Sequence, residues 1–106
     1  MTIVEFKRML GLAGMPVAYS HFNAPNVPDP PYICYLVEGN PNFIADNKVY
    51  HKISDVTIEL YTTKKDLVAE AALEKVLDDH EIAYESFETF ISSEGLFQKN
   101  YEVRLM

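Results

Sequence analysis

Hydrophobic and polar positions along this chain change period several times, and each change marks an element. Ile3, Phe6, Met9 and Leu10 recur at helical spacing. Thr2 and Glu5 stand before them as a capping box, and Gly11, Gly14 and Pro16 follow as stop signals. The spacing predicts a short amphipathic helix over 2–12. A short strand is expected over 17–22. The stretch 23–31 holds four of the six prolines and reads as a loop or edge crossing, because proline lacks the amide donor that a central ladder needs. Residues 32–37 are apolar at both alternating positions, as in a strand covered on both sides. Gly39 and the residues up to 42 break that run.

Ala45-Asp46-Asn47-Lys48 reads as a turn, since Asp and Asn cap turns and tolerate left-handed backbone. The strongest strand pattern runs over 49–62. Val56, Ile58 and Leu60 take one face, and Thr57, Glu59 and Tyr61 the other. The alternation is less clean before Ser54, where a bulge or bend is expected. Thr63 and Asp66 open a second helix, expected over 66–80. Its apolar face is Val68, Ala69, Ala72, Leu73, Val76 and Leu77. Asp66, Glu70, Glu74 and Asp78 recur on another face and read as a solvated stripe. Two strands follow, over 84–91 and 96–105, joined by a Gly-containing hairpin turn.

The element order is therefore α-β-β-β-α-β-β. Consecutive strands on short turns pair antiparallel, so the expected fold is α+β: a two-layer α/β domain with a mostly antiparallel sheet and both helices on one face. The 106 residues suit a single domain spanning 1–106. The expected core is Phe6, Leu10, Ile33, Leu36, Val56, Ile58, Leu60, Leu73, Val76, Leu77, Val103 and Leu105.

Charge then narrows the function. Nine basic against sixteen acidic residues give a net charge of −7, and no basic run exceeds two residues. Tight nucleic-acid binding is disfavoured, because phosphate recognition needs a basic patch. An acidic surface instead lets DNA pass without adhering. The N-terminal run carries Glu5, Lys7 and Arg8 where a signal peptide needs an unbroken apolar stretch, and nothing approaches the roughly 20 apolar residues of a membrane span. A soluble, unexported protein with no membrane partner is expected. One cysteine, Cys34, excludes an intrachain disulfide and suits a reducing compartment.

Candidate chemistry is sparse. His21, His51 and His80 lack partners at zinc-ligand spacing, so no metal site is expected. Cys34 sits in an apolar run and reads as a small buried hydrophobe rather than a nucleophile. No glycine pattern suits a nucleotide phosphate, so no cofactor is expected. These readings point to a protein that is not an enzyme. Tyr32, Tyr35, Tyr50, Tyr61, Tyr84 and Tyr101 all fall on expected strands. Tyrosine is enriched at protein interfaces, although strand propensity accounts for any single one.

Several segments together carry a resemblance. They are Pro31-Tyr32-Ile33-Cys34-Tyr35-Leu36, Ala45-Asp46-Asn47-Lys48-Val49-Tyr50, Ile58-Glu59-Leu60-Tyr61-Thr62 with Lys65-Asp66, and residues 88–91 with Glu94-Gly95-Leu96-Phe97-Gln98. The pattern resembles a family of small structural proteins of long-tailed phages and prophages of Gram-positive bacteria, found among head-tail joining and tail components. The resemblance implies a tail-terminator or tail-completion subunit: a homo-oligomer, typically a hexameric ring, at the head-proximal end of the tail tube. Its implied partners are the tail-tube protein and the head-tail connector. Its implied location is the neck of the virion, after assembly in the host cytoplasm. A head-tail connector or head-closure protein, or a small non-viral regulatory or ligand-binding α+β domain, are the alternatives. The expected assembly interface is Tyr35, Asp46, Asn47, Lys48, Tyr50 and Tyr61.

Overall fold

The structure, a computed structural model, describes residues 1–39, 43–45, 48–51 and 53–105. It is α+β, as the sequence predicts. Helix α1 spans Ile3–Leu10 and continues into a 3-10 turn over Gly11–Ala13. The Thr2 hydroxyl accepts from the Glu5 amide at 3.1 Å, and the Glu5 carboxylate accepts from the Thr2 amide at 3.2 Å, which closes the capping box. Gly14, at φ 83°, ends this segment in the left-handed region that favours glycine.

The strands are β1 (Val17–Tyr19), β2 (Tyr32–Gly39), β3 (Phe43–Ala45), β4 (Lys48–His51), β5 (Ser54–Thr62), β6 (Tyr84–Ile91) and β7 (Leu96–Leu105). Helix α2 (Leu67–Asp79) lies between β5 and β6. Its N-cap is Asp66, whose carboxylate accepts from the Ala69 amide at 3.0 Å. The main sheet has the order β1-β2-β5-β7-β6, and β3 pairs with β4 as a separate antiparallel ribbon.

Two expectations change here. The single strand expected over 49–62 is two strands, β4 and β5, in different sheets. The apolar residues explain the break: Val49 and Ile53 are odd-numbered, whereas Val56, Ile58 and Leu60 are even-numbered. One continuous strand would put the two sets on opposite faces. The second change concerns β1, which pairs with β2 in parallel, Val17 opposite Ile33 and Tyr19 opposite Tyr35. The proline-bearing connection between them brings the chain back to the same end of the sheet. The other three pairings of the main sheet are antiparallel.

Both helices contribute to one apolar core on one sheet face. Phe6, Met9 and Leu10 of α1 and Ala69, Leu73, Val76 and Leu77 of α2 pack with Ile33, Tyr35, Val56, Ile58, Leu60, Tyr101, Val103 and Leu105. Eleven of the twelve residues expected in the core are buried there. Leu36 is the exception. It is half-buried and lies on the sheet face opposite the helices, outside the core layer.

Helix α2 also corrects its own helical wheel. Val68 is 82% exposed, whereas Glu70 is only 6% exposed. The buried stripe is centred on Leu73 and runs through Ala69, Glu70, Val76 and Leu77. The acidic stripe is therefore not uniformly solvated. Asp66 caps the helix, Glu70 and Glu74 reach the sheet, and only Asp78 of the four lies free on the surface.

Candidate assembly interface

Register assigns each strand residue to a face. On the face away from the helices, Tyr32, Cys34 and Leu36 of β2 lie opposite Tyr61, Glu59 and Thr57 of β5, which lie opposite Gln98, Asn100 and Glu102 of β7. Four of these side chains form one network. The Glu59 carboxylate accepts from the Tyr61 hydroxyl at 3.3 Å and from Gln98 Nε2 at 3.0 Å. Gln98 Nε2 also donates to the Tyr61 oxygen at 2.8 Å, and Asn100 donates to Gln98 at 3.2 Å. The Tyr61 ring stacks on Tyr32 at 5.0 Å, and Phe22, beyond β1, meets Tyr32 edge-on at 5.4 Å.

Electrostatics here favour neutral groups. Burial pushes the Glu59 carboxyl above its usual range, opposed by the Tyr61 hydrogen bond and assisted by Glu38. Burial also pushes the Tyr61 hydroxyl up to about 12. The Cys34 thiol rises to about 11 through burial and then the nearby Glu59 charge, so it is protonated at neutral pH. A thiol held in that form is a poor nucleophile. The network ties β5 to β7, and the stack of Tyr61 on Tyr32 adds β2.

The expected interface residues divide between locations. Tyr35 faces the helices and is buried between Phe6, at 6.1 Å, and Tyr19, at 5.2 Å, so its ring belongs to the core and leaves the candidate interface. Tyr61 is half-buried on the opposite face. Lys48 and Tyr50 lie on β4, with Lys48 opposite Ala45 across the ribbon. Asp46 and Asn47 lie outside the described residues. The tyrosines thus do not gather on one face. Tyr19, Tyr35, Tyr84 and Tyr101 lie on the helix side, and Tyr32 and Tyr61 on the other. The parity of each tyrosine within its strand carries that information once the registers are known.

No protein-family model matches this chain, and no curated protein matches it. Its own surface is the remaining guide. Of the strands of the main sheet, the edge strand β6 is the most open. On β6, every residue from Glu85 to Phe90 is exposed, including Phe87 and Phe90 at 52% each. Phe90 rests on Phe97 at 4.9 Å and still shows half its surface. At the other edge, Tyr19 of β1 is half exposed. Aliphatic side chains are also exposed in the helix layer: Val4, Leu12, Leu67 and Val68. Val68 lines a shallow notch of about 180 Å³ together with Ala13, Met15 and Ala72. Open strand edges and clustered apolar side chains mark surfaces suited to association.

A larger hollow of about 640 Å³ opens at the end of the sheet where β5 begins and β7 ends. Glu38, Asp55, Glu85, Glu102 and Arg104 line it. Arg104 is engaged by Asp55 through two hydrogen bonds of 2.8 and 3.2 Å. Among the described residues, no group of His, Cys, Asp and Glu is arranged to hold a metal ion. No described helix is long and apolar enough to cross a membrane.

Proposed function

We propose that this chain is a structural subunit of a phage or prophage virion, a tail-terminator or tail-completion protein that works by assembling with copies of itself and with the tail tube. The observation that supports this reading best is the openness of the β6 edge. β1 and β6 close the main sheet on its two sides and carry Tyr19, Phe87 and Phe90 into solvent. An 8-residue edge strand with two exposed phenylalanines is a liability for a solitary protein and an asset for a subunit. The net charge of −7 suits a surface past which DNA must travel.

In this role the chain performs no bond chemistry. Its rigid core presents two flanks and a polar sheet face to neighbouring proteins. The network of Glu59, Tyr61, Gln98 and Asn100 keeps that face in one shape, so each contact is made without reordering the side chains.

The test is complementation of a phage that lacks this gene. Tails of abnormal length or tails without heads in electron micrographs, repaired by the wild-type chain, are the expected result. Normal tails from the deleted phage would sink the reading. Normal tail tubes that fail to join heads would favour a connector role instead.

A further inference from the structure

Strand directions and surface charge together suggest how copies of this chain meet. β1 runs parallel to β2, and each later neighbour in the order β2-β5-β7-β6 is antiparallel to the one before. β6 therefore runs opposite to β1. Two copies placed side by side in the same orientation would bring β6 of one against β1 of the next as an antiparallel pair, with both helix layers on the same side.

The two flanks also differ in charge. On the β6 flank, α2 reaches the sheet through Glu74, which accepts from Tyr84 and Tyr101. The end of α2 and the turn after it expose Asp78 and Glu81. These two acids take part in no ion pair among the described residues. On the β1 flank, α1 is tied to the sheet through Phe6 on Tyr35. It exposes Lys7 and Arg8, which are also without an ion pair among the described residues. The even-numbered residues of β6, Phe90 among them, share the helix-side face with Tyr19.

We propose that copies of this chain join head to tail, with the β6 edge and α2-end acids of one copy against β1 and the Lys7–Arg8 pair of the next. The proposal rests on the subunit reading above and names the surfaces that reading uses. A symmetric pairing of β6 with β6 would leave Lys7 and Arg8 of both copies outside the contact, so Asp78 and Glu81 would meet no basic group of α1. A head-to-tail contact opposes acid to base at every junction. It also leaves each copy with one free flank, so it propagates and closes into a ring when the rotation between copies permits.

The test uses charge swaps in the full chain, read by sedimentation velocity. Wild type associates with rising concentration. Lys7→Glu with Arg8→Glu makes both flanks acidic, and Asp78→Lys with Glu81→Lys makes both flanks basic. Each double variant alone associates at least about tenfold more weakly than wild type, and an equimolar mixture recovers association, because every junction in the mixture again opposes acid to base. Thermal melts monitor folding, and Lys7→Glu and Asp78→Lys as single changes repeat the experiment if a double variant melts early. The proposal is overturned if both variants associate like wild type, if the mixture does not recover, or if wild type stays monomeric up to about 1 mM. The subunit reading fails separately, by normal tails from the deleted phage, whatever the mixture does.

Discussion

Lys99 on β7 places its ammonium 2.7 Å from the carboxylate of Glu70 on α2, inside the joint between helix and sheet. Lys65 approaches the same carboxylate at 2.8 Å and also reaches Glu88 of β6 at 3.1 Å. Glu74, one turn further along α2, accepts from the Tyr101 hydroxyl at 2.7 Å. The helix is thus fastened to β6 and β7 by polar contacts along its edge, while Leu73 and Leu77 supply the apolar contact beneath.

Removing Glu70 should loosen that joint. The side chain is almost fully covered, whereas Lys99 is partly exposed and Lys65 about half exposed. Glu70→Ala therefore should cost about 1–3 kcal/mol, less than the loss from a fully buried pair. The pH dependence has a definite sign. Burial pushes the Glu70 carboxyl up, but hydrogen bonds from Lys65 and Lys99 outweigh it, and the net position lies below the usual 4.5. A carboxylate lowered in the folded state stabilises above its unfolded value and loses that contribution as the pH falls through the folded one. Denaturant melts should show wild type losing its advantage over Glu70→Gln as the pH drops below about 4.5. A constant gap between pH 7 and pH 3 would contradict the geometry.

Tyr101 tests the second fastening. Its ring is fully buried against Tyr84, and its hydroxyl is spent on Glu74. Tyr101→Phe keeps the ring and removes the bond to a charged acceptor, so a loss of about 1–3 kcal/mol is expected. Burial and the neighbouring Glu74 both raise the hydroxyl well above the ordinary tyrosine range. Ultraviolet titration of wild type against Tyr101→Phe should show no difference in phenolate formation until the protein unfolds in alkali.

Local signals were legible and distant ones were not. The Thr2–Glu5 box, the Asp66 cap and the alternation of β7 all involve residues a few positions apart, and the structure repeats them. The burial of Glu70 depends on Lys99, 29 positions away, and nothing within α2 signals that partner. The parallel placement of β1 depends on the path of a connection, not on the strand's own residues. Tyr35 read as an interface residue because composition alone does not say which face of β2 the helices cover. Charge and tyrosine content pointed toward assembly without separating the sheet faces from the sheet edges.

The core boundary can be checked by comparing two leucines. Leu77 is fully buried beneath α2, whereas Leu36 is half-buried on the opposite sheet face. Leu77→Ala should cost about 2–5 kcal/mol, because the removed methyl groups leave a cavity in a packed layer. Leu36→Ala should cost less than half as much in the same chemical-denaturation series. Equal losses would mean that the face away from the helices is as tightly packed as the core.

Cys34 reports on the sheet face that carries the polar network. Its thiol is 2% exposed, and burial, assisted by the Glu59 charge across the β2–β5 pairing, raises it from the ordinary 9.0 to about 11. A thiol raised in the folded state binds its proton more tightly there than in the unfolded chain. Its contribution is therefore complete below about pH 9 and disappears as the pH climbs toward 11. Cys34→Ala has no proton to lose, so wild type should lose stability relative to that variant between pH 9 and 11, by at most about 2 kcal/mol. Alkylation by iodoacetamide gives an independent reading. The native rate should be far below that of the unfolded chain at pH 8 and should keep rising past pH 10. Glu59→Gln should shift this profile to lower pH, since it removes the charge that opposes the thiolate. A native profile that levels off near pH 9 would show that Cys34 meets solvent and that this face of the sheet is open around it.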